Sequence, residues 1–381
     1  MVRMSTSAPD PLIIETIERL CRTEIAQYQN ERFYNSVPRA LFKAFGDAGV
    51  AGLAVPEAFG GIAASALTTA ATFEIMSRHD MGPAIFISVH AMVCGLISRY
   101  GTQEQKENLL PRLASGELLG AFALTEPHAG SDAQSLITEA ACTPDGFSIT
   151  GSKCYITSAG FADLYVVFAR TADSTGSGIS AFIVPASTKG LKIGPPEKKM
   201  GCELSPIASM FFDGMHLPHT SLLGPLHQGF KVALSGLAGG RVNIAACANG
   251  LSAAALEGAI KHLKERKQFG TLLADFQGLQ FMIADMYGRL EASRLLTQKA
   301  AQDLDQLGSA APGTRLSSSV AKCFATDAAM AVTTDAVQLL GGAGYMKEYN
   351  VERLMREAKM LQIVEGSNQI QRIIISRELL S

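Results

Sequence analysis

Apolar residues recur at helical spacing through the first third of the chain, with charged residues between them. The segments with this spacing are IIETIERLCRTEIAQYQNERF, LFKAFGDAGV, ALTTAATFEIMSRHD, IFISVHAMVCGLISRYG and QEQKENLLPRLASGE. Gly- and Pro-containing stretches separate several of them, and such stretches are typical of loops. The pattern predicts an N-terminal α-helical domain over residues 1–120.

The pattern changes between residues 121 and 228, where short runs of β-branched and aromatic residues alternate with turn residues. The runs are GFSITGSKCYITS, ADLYVVFAR, GISAFIVPAS, GLKIGP and ASMFFDGMHLP. Short strands separated at close intervals by turns are typical of a sandwich or barrel. We therefore expect a middle β domain here.

Helical spacing returns over residues 229–381 in long segments joined by short breaks. The predicted helices cover about 230–266, 275–307, 315–340, 351–364 and 368–380. Long helices joined by short loops form antiparallel bundles, so we expect a four-helix-type C-terminal bundle. The predicted fold class is therefore multidomain α+β: helices, then a β-barrel or sandwich, then a bundle.

Composition and charge limit the classes of function. The chain has 381 residues, 47% of them hydrophobic, and a net charge of −2, which gives no reason to expect nucleic acid or an anionic membrane as a partner. No run of 18 uninterrupted apolar residues occurs; the closest approach is 234–260, which contains Arg241 and Glu257. The N-terminus lacks the apolar core of a signal peptide, so we expect a cytoplasmic protein.

The cysteines and histidines do not indicate a metal site. The seven cysteines are scattered without a CxxC pair, and the seven histidines show no HExxH. This usage favours a reducing compartment over a disulfide framework or zinc site.

Two segments of the β domain are candidate ligand sites. FALTEPHAGSD (122–132) is a loop in which Thr125, Ser131 and backbone N–H groups could hold a planar or anionic ligand, although composition alone favours an ordinary linking loop. In SKCYITSAG (152–160), alternation places Tyr155 and Thr157 on one face of a strand. Their ring and hydroxyl could contact a bound ring, or the strand could be half-buried and without function.

Two further segments belong to the bundle. In ERKQFG (265–270), Arg266 and Lys267 suit a phosphate, and they equally suit the negative end of a helix dipole. QLLGGAGY (338–345) follows a helix and lacks a complete GxGxxG, so it is read as a helix C-terminus with a glycine turn.

The segment LQIVEGSNQIQR (361–372) places one carboxylate at the end of an apolar run. Gly366 can end one helix and Ser367 can cap the next. Glu365 between them either faces solvent or enters an apolar pocket, where desolvation would raise its pKa and make it a stronger base. Because no metal cluster or Ser/His pair accompanies it, a bound organic cofactor is indicated.

Together these motifs resemble the acyl-CoA dehydrogenase flavoproteins from about residue 12 to residue 380. LTEPHAGSD, ERKQFG, ADFQGLQF, QLLGGAGY and VEGSNQIQR occur in the order and spacing of that family. Within it, FISVHAM, SKCYITSAGFADLYVVFART, YGTQEQ, GGRVNIAAC, EGSNQ and IISRELL are most similar to isobutyryl-CoA dehydrogenases.

The resemblance implies an FAD-dependent oxidoreductase in which Glu365 removes the α-proton of an acyl-CoA while the β-hydride passes to the flavin. It implies FAD contacts from Phe122, Leu124, Thr125, Ser131, Tyr155, Thr157, Arg266, Phe269, Gln277, Gln338, Leu339, Gly342, Ser367 and Gln369. It implies substrate contacts from Ser131, Gly240, Arg241, Gly366 and Arg377. The implied partners are an electron-transfer flavoprotein and further copies of the chain, at least a homodimer and in the family a homotetramer.

Departures from the family pattern leave alternatives open. His128 stands where glycine is usual, and Tyr155 stands where tryptophan is common. Some relatives carry the base at the position of Gly240. An acyl-CoA oxidase, a dehydrogenase of carrier-protein thioesters and a non-catalytic flavin-binding protein are the competing functions.

Overall fold

The N-terminal part is helical, as predicted. A computed structural model describes residues 8–30, 36–171 and 178–381. The helices are α1 (Pro11–Leu20), α2 (Ala26–Asn30), α3 (Arg39–Asp47), α4 (Ala66–His79), α5 (Met81–Tyr100) and α6 (Gln103–Ala114). A π-helical turn, Cys21–Ile25, joins α1 to α2, and the end of that predicted helix (31–33) lies outside the described residues.

Helix α5 is the candidate membrane span among the described residues. By length and composition it could cross a membrane, with a mean hydropathy of 1.7. However, 83% of that window is buried inside the fold, as in the core helix of a globular domain. Among the described residues α5, and not 234–260, passes this test, so the expectation that 234–260 comes closest was wrong. Residues 234–260 lie within a later helix and include the charged residues Arg241 and Glu257.

The middle part forms one eight-stranded sheet in the order β6-β7-β3-β2-β4-β5-β8, with β1 paired to β4. The strands are β1 (Gly120–Ala123), β2 (Glu139–Thr143), β3 (Gly146–Thr157), β4 (Leu164–Arg170), β5 (Ile179–Pro185), β6 (Leu191–Ile193), β7 (Ile207–Pro218) and β8 (Leu222–Leu223). Only Glu139 and Arg170 pair β2 with β4, so the sheet nearly divides into two halves.

Strands β1, β2 and β8 were not predicted. β8 has two residues, and β2 (EAACT) is largely exposed and rich in residues of weak β propensity. Strand β1 begins at Gly120, directly at the expected boundary between the first two domains. β1 and β8 pair with strands that are distant in sequence, so local pattern does not reveal them. β2 forms a hairpin with the adjacent β3, and its weak β propensity is the reason that it was not predicted.

The C-terminal part is a helical bundle. It contains α7 (Gly229–Glu265), α8 (Gln277–Leu307), α9 (Pro312–Leu340), α10 (Val351–Leu361) and α11 (Asn368–Leu380), with a small hairpin of β9 (Lys267–Gln268) and β10 (Thr271–Leu272) after α7. The predicted helix 351–364 is too long, because α10 ends at Leu361 and the backbone then turns. The predicted fold class is confirmed.

A buried ionic cluster joins the three parts of the molecule. Arg353 and Glu357 on α10 contact each other at 3.1 Å, and Arg353 lies 3.5 Å from Asp80, which precedes α5. A methyl group at Gly201, in the loop between β6 and β7, would lie 3.0 Å from the Glu357 side chain. The β domain and the N-terminal helices are therefore packed closely against the helix that precedes Glu365.

Candidate active site

Glu365 lies in a turn between α10 and α11 whose backbone is left-handed. Its φ is +57° and that of Gly366 is +82°. A left-handed conformation is strained for glutamate and persists only where the surroundings impose it. The Gln371 side chain imposes it here, since Nε2 donates to the carbonyl oxygens of Glu365 at 3.1 Å and Gly366 at 2.8 Å.

The next helix begins as the sequence predicts, but the previous one does not end as predicted. The Ser367 side chain accepts a hydrogen bond from the Ile370 backbone N–H and caps α11. Gly366 does not end α10, because the helix stops at Leu361 with Gln362 as its C-cap. Gly366 instead lets the chain turn so that Glu365 points inward.

The Glu365 carboxylate is buried against α7. A methyl group at Gly240 would lie 2.7 Å from Oε2 and 2.9 Å from Oε1. Oε2 is inaccessible to water and has no hydrogen-bond partner among the described residues. A buried acceptor without a partner is costly, so such an atom in a native fold points to a function.

Burial raises the pKa of Glu365 to about 7, although the positive charges of Arg241 and Lys322 oppose the rise. Arg241 is 6% exposed, its Nε also has no partner in the described part of the chain, and burial lowers its pKa. A carboxylate in this environment exchanges its proton near neutral pH, which suits a general base.

A second group of predicted residues lies where β1 leaves the sheet. The Cys154 backbone N–H donates to the Thr125 carbonyl at 3.0 Å, so the loop after β1 contacts the end of β3. Phe122 and Thr125 are half-buried and Leu124 is buried. Tyr155 has φ +57° at a register shift in β3 and is 66% exposed, with Thr157 half-buried beyond it.

A buried ion pair supports this loop, and sequence reasoning did not find it. Lys153 Nζ lies 2.7 Å from Glu126 Oε1 and donates to the Leu124 carbonyl at 3.0 Å. Glu126 also accepts from the backbone N–H groups of Ile137 at 2.7 Å and Thr138 at 3.0 Å. Simple alternation would place Lys153 beside Tyr155, and only the irregularity in β3 turns it inward.

The charges of this pair are set by burial and by each other. Burial alone would raise the pKa of Glu126, but Lys153 and the backbone donors hold it below the usual range. Burial lowers the pKa of Lys153 to about 8, against the attraction of Glu126. His128, the residue that departs from the family pattern, lies 3.5 Å from Glu126 Oε2.

The remaining predicted cofactor residues mostly lie at the surface, away from the base. Phe269 is 96% exposed beside the β9–β10 hairpin, where Arg266 is also exposed. Exposed Gln277 begins α8, and exposed Gln338 and Gly342 lie at the end of α9. Leu339 is 5% exposed, and its side chain packs in the core.

The other predicted substrate and cofactor residues are dispersed. Ser131 is exposed in the loop after β1, and Gln369 is exposed in the first turn of α11. Exposed Arg377 lies in the last turn of α11, about 14 Å along the helix from its first residue Asn368 at 1.5 Å per residue. The structure thus brings Gly240, Arg241, Glu365 and Gly366 together and leaves Arg377 distant.

These residues suit an organic cofactor better than a metal. The described residues contain no group of three His, Cys, Asp or Glu side chains that could hold a metal ion, and all seven cysteines are free thiols. An exposed aromatic ring and two half-buried threonines at the edge of the β domain can stack on and hydrogen-bond a planar ring system. The residues present therefore fit a flavin.

Comparisons with known proteins give the family. Three models match: acyl-CoA dehydrogenase N-terminal domain over residues 10–117, middle domain over 121–215 and C-terminal domain over 227–380. The chain is 46% identical over 345 residues to an acyl-CoA dehydrogenase of Bacillus subtilis, covering 90% of each chain. It is 40% identical to a mitochondrial isobutyryl-CoA dehydrogenase of Dictyostelium discoideum, covering 90% of this chain and 82% of the relative.

Comparisons with solved structures indicate the same family. Butyryl-CoA dehydrogenase from Megasphaera elsdenii is 38% identical with a TM-score of 0.92, covering 97% of both chains. A chain in a structure described as the electron transferring flavoprotein of Acidaminococcus fermentans is 39% identical with a TM-score of 0.92, covering 100% of this chain and 99% of that one. An acyl-CoA dehydrogenase complexed with FAD from Bacillus anthracis is 29% identical with a TM-score of 0.88, covering 97% of this chain and 66% of that one.

The predictions of an enzyme and of FAD as its cofactor are confirmed. The chain belongs to the acyl-CoA dehydrogenase family of FAD-dependent oxidoreductases.

Proposed function

We propose that this enzyme oxidises a short, branched acyl-CoA, with isobutyryl-CoA favoured, to the 2-enoyl-CoA and that Glu365 is its general base. Flavin-dependent acyl-CoA dehydrogenation follows from the family. The branched substrate is supported by the similarity to the isobutyryl-CoA dehydrogenase of Dictyostelium discoideum, and butyryl-CoA and 2-methylbutyryl-CoA are close alternatives.

The observation that carries the proposal is the buried Oε2 of Glu365, which lies opposite Gly240 and has no hydrogen-bond partner in the described structure. A structural carboxylate would be expected to have its acceptor atoms satisfied. An atom left unsatisfied in a dry site is available to a proton of the substrate. Gly240 matters because a side chain there would occupy the space of the carboxylate.

In the proposed reaction, the ionised Glu365 carboxylate accepts the proton from the substrate α-carbon. Bound FAD supplies the acceptor for the hydride that leaves the β-carbon, so the substrate loses one proton and one hydride. The raised pKa of Glu365 makes its carboxylate a stronger base than an exposed one. Arg241 opposes this rise and favours the ionised form of the carboxylate, and exclusion of water strengthens that attraction.

We assign the flavin contacts to the residues at the edge of the β domain. Tyr155 and Phe122 supply aromatic surface, and Thr125 and Thr157 supply hydroxyl groups. The exposed residues Arg266, Phe269, Gln277, Gln338 and Gly342 are assigned to the FAD of a neighbouring copy. Ser131, Ser367 and Gln369 remain assigned to the cofactor, and Gly240, Arg241 and Gly366 to the substrate, because each is available at the surface or beside the base. Arg377 is the weakest of the proposed substrate contacts, because it is far from Glu365.

We also propose a homotetramer, at least a homodimer, that passes electrons to an electron-transfer flavoprotein. Large apolar side chains on the bundle are exposed in the single chain: Phe281 60%, Tyr287 56%, Leu295 66%, Phe324 40% and Ile373 43%. Phe324 lines a groove of about 480 Å³ formed by α8, α9 and α11. Exposed apolar surface of this kind marks interaction sites.

The test is an anaerobic titration of the purified holoenzyme with isobutyryl-CoA, butyryl-CoA and 2-methylbutyryl-CoA, followed by the visible flavin spectrum. We expect isobutyryl-CoA to bleach the flavin bands at the lowest concentration. If butyryl-CoA alone bleaches them, the branched substrate is excluded and the enzyme class stands. Oxygen consumption at the turnover rate in air would favour an oxidase, and bleaching only by a carrier-protein thioester would exclude a CoA substrate.

A further inference from the structure

Helix α9 carries a buried cation that the proposed reaction does not use. Lys322 is 0% exposed and lies within an otherwise apolar and small-residue segment of the helix. A buried ammonium loses its hydration, which costs several kcal/mol unless other groups compensate. The groups around Lys322 must therefore compensate for this cost.

Those groups belong to the turn that carries Glu365. Lys322 Nζ donates to the Gly366 carbonyl at 3.0 Å and to Asn368 Oδ1 at 2.9 Å. One turn further along α9, Thr326 Oγ1 accepts from Asn368 Nδ2 at 2.9 Å, and Asp327 Oδ1 accepts from the same nitrogen at 2.7 Å. One face of α9 thus fixes the turn between α10 and α11.

The charge of Lys322 acts on Glu365 as well. The charged groups that face Glu365 are Arg241 on α7 and Lys322 on α9. Burial lowers the pKa of Lys322 to about 8, while Glu365, Cys323 and Asp327 raise it and Arg241 lowers it further. Lys322 is therefore cationic at neutral pH, close enough to favour the ionised form of the base.

Hydrogen bonding alone does not account for a lysine at this position. Gln371 Nε2 already donates to the Gly366 carbonyl at 2.8 Å, so one of the two Lys322 contacts is duplicated by a neutral group. Asn368 has further partners in Thr326 and Asp327. What lysine adds to this arrangement is a positive charge that acts on the base.

We propose that Lys322 is a positioning residue for the base: its ammonium group holds the left-handed turn in place and favours the ionised form of the Glu365 carboxylate. This inference rests on the proposed function of Glu365. Lys322 thereby shares with Arg241 the stabilisation of the ionised Glu365 carboxylate. The two cations approach from different helices, so each can be removed separately.

The test compares Lys322→Met, Lys322→Gln and Lys322→Arg in the FAD-loaded enzyme, with Lys359→Met as the matched control. Lys359 is an exposed lysine whose Nζ donates to Gln362 on the same turn. The rate of anaerobic flavin reduction by acyl-CoA is measured against pH. We expect the pH midpoint to rise by about one unit in the Met and Gln variants, because a nearby opposite charge is lost.

The same comparison separates charge from packing. The Arg variant should keep the midpoint of the parent enzyme, and the Lys359 variant should match the parent throughout. Gln keeps a neutral donor and provides the measurement if Met does not fold. A rate that falls equally at every pH, with an unchanged midpoint in both neutral variants, would overturn the electrostatic role.

A second readout does not depend on turnover. The melting temperatures of the parent enzyme and Glu365→Gln are compared across pH, and so are those of Lys322→Gln and Lys322→Gln/Glu365→Gln. The pH midpoint of the difference should be higher in the second comparison than in the first. An identical midpoint would contradict the inference. Failure of the proposed function is distinguishable, because Glu365→Gln with Lys322 intact would then still reduce flavin.

Discussion

The Glu365 carboxylate lies against the backbone of Gly240, so closely that a methyl group at Gly240 would be 2.7 Å from Oε2 and 2.8 Å from Cδ. The contact joins the long helix α7 to the turn between α10 and α11. Because the atoms that would clash are the end of a flexible side chain, the helix itself can accept a methyl group. The carboxylate is the part that must move.

Gly240→Ala should therefore reduce catalysis without reducing stability. Displacement of a reacting group by about 1 Å can lower the rate about 100-fold. Alanine in a helix interior is favoured over glycine by up to about 1 kcal/mol, so the melting temperature should stay equal or rise. The measurements are kcat/KM and thermal unfolding of the same holoenzyme preparation. Normal kcat/KM would show that the carboxylate position is not limiting.

The Glu126–Lys153 pair should control FAD retention and stability. Lys153→Met leaves Glu126 buried without its cation, and breaking a buried pair in this way costs about 3–5 kcal/mol. We expect weaker FAD binding, because the pair holds the loop after β1 against β3. Equilibrium dialysis against FAD and thermal unfolding measure the two effects.

The controls for that prediction are a double variant and an exposed lysine. Glu126→Gln/Lys153→Met removes both charges and should be less destabilised than Lys153→Met alone. Lys192→Met removes a lysine that is 71% exposed and 3.6 Å from Asp213, and it should change stability by less than about 0.5 kcal/mol. Equal losses in Lys153→Met and Lys192→Met would contradict a role for the buried pair.

Stability should depend on pH through Glu365. Its folded pKa of about 7 lies above the ordinary value of 4.5, so the fold favours the protonated form. The associated stability is complete below pH 4.5 and is lost as pH rises through 7. Glu365→Gln removes this loss, and the free energy of unfolding of the variant should exceed that of the parent by about 3 kcal/mol above pH 8.

Thermal unfolding of the holoenzyme between pH 5 and pH 9 measures that difference. Burial also raises the pKa of Glu357, but Glu357 is present in both proteins and its contribution cancels in the comparison. A difference in melting temperature that stays constant with pH would show that Glu365 is not perturbed in the folded protein.

The contact between α4 and α7 should tolerate no side chain at Gly250. A methyl group there would lie 2.1 Å from Ser77 Oγ and 2.2 Å from the Glu74 carbonyl. Gly250→Ala should cost about 3 kcal/mol, since backbone must move to relieve the clash. Gly258→Ala on the same helix meets only Val351 Cγ1 at 3.6 Å and should be neutral or stabilising. Equal melting temperatures for the two variants would refute the close contact.

The periodicity of the sequence predicted most of the helices, because each buries an apolar face over many residues. The bounds of α7, α8, α9 and α11 lie close to the predicted ones. Strand β1 escaped prediction because its partner β4 lies more than 40 residues away in the chain, beyond the reach of local pattern. The end of α10 was misplaced because the apolar run continues to Val364, past the last helical residue Leu361.

The site was predicted in part. Glu365 could be selected as a candidate base from the sequence, but its burial depends on Gly240 and Arg241, which are more than 120 residues away. Lys153 turns inward only because of the irregularity in β3, which alternation does not reveal. Lys322 could have been found from the sequence, because a single lysine in an otherwise uncharged stretch of α9 indicates a buried cation with a partner.

The most direct test of Glu365 as the base is the rate of anaerobic flavin reduction by acyl-CoA, measured by stopped flow from pH 5.5 to pH 9 in the parent enzyme and in Glu365→Gln. The parent rate should rise with pH through about 7, as the carboxylate loses its proton. Glu365→Gln should retain bound FAD and react about 100 to 10,000 times more slowly. A FAD-loaded Glu365→Gln enzyme that reduces its flavin at the parent rate would contradict the account.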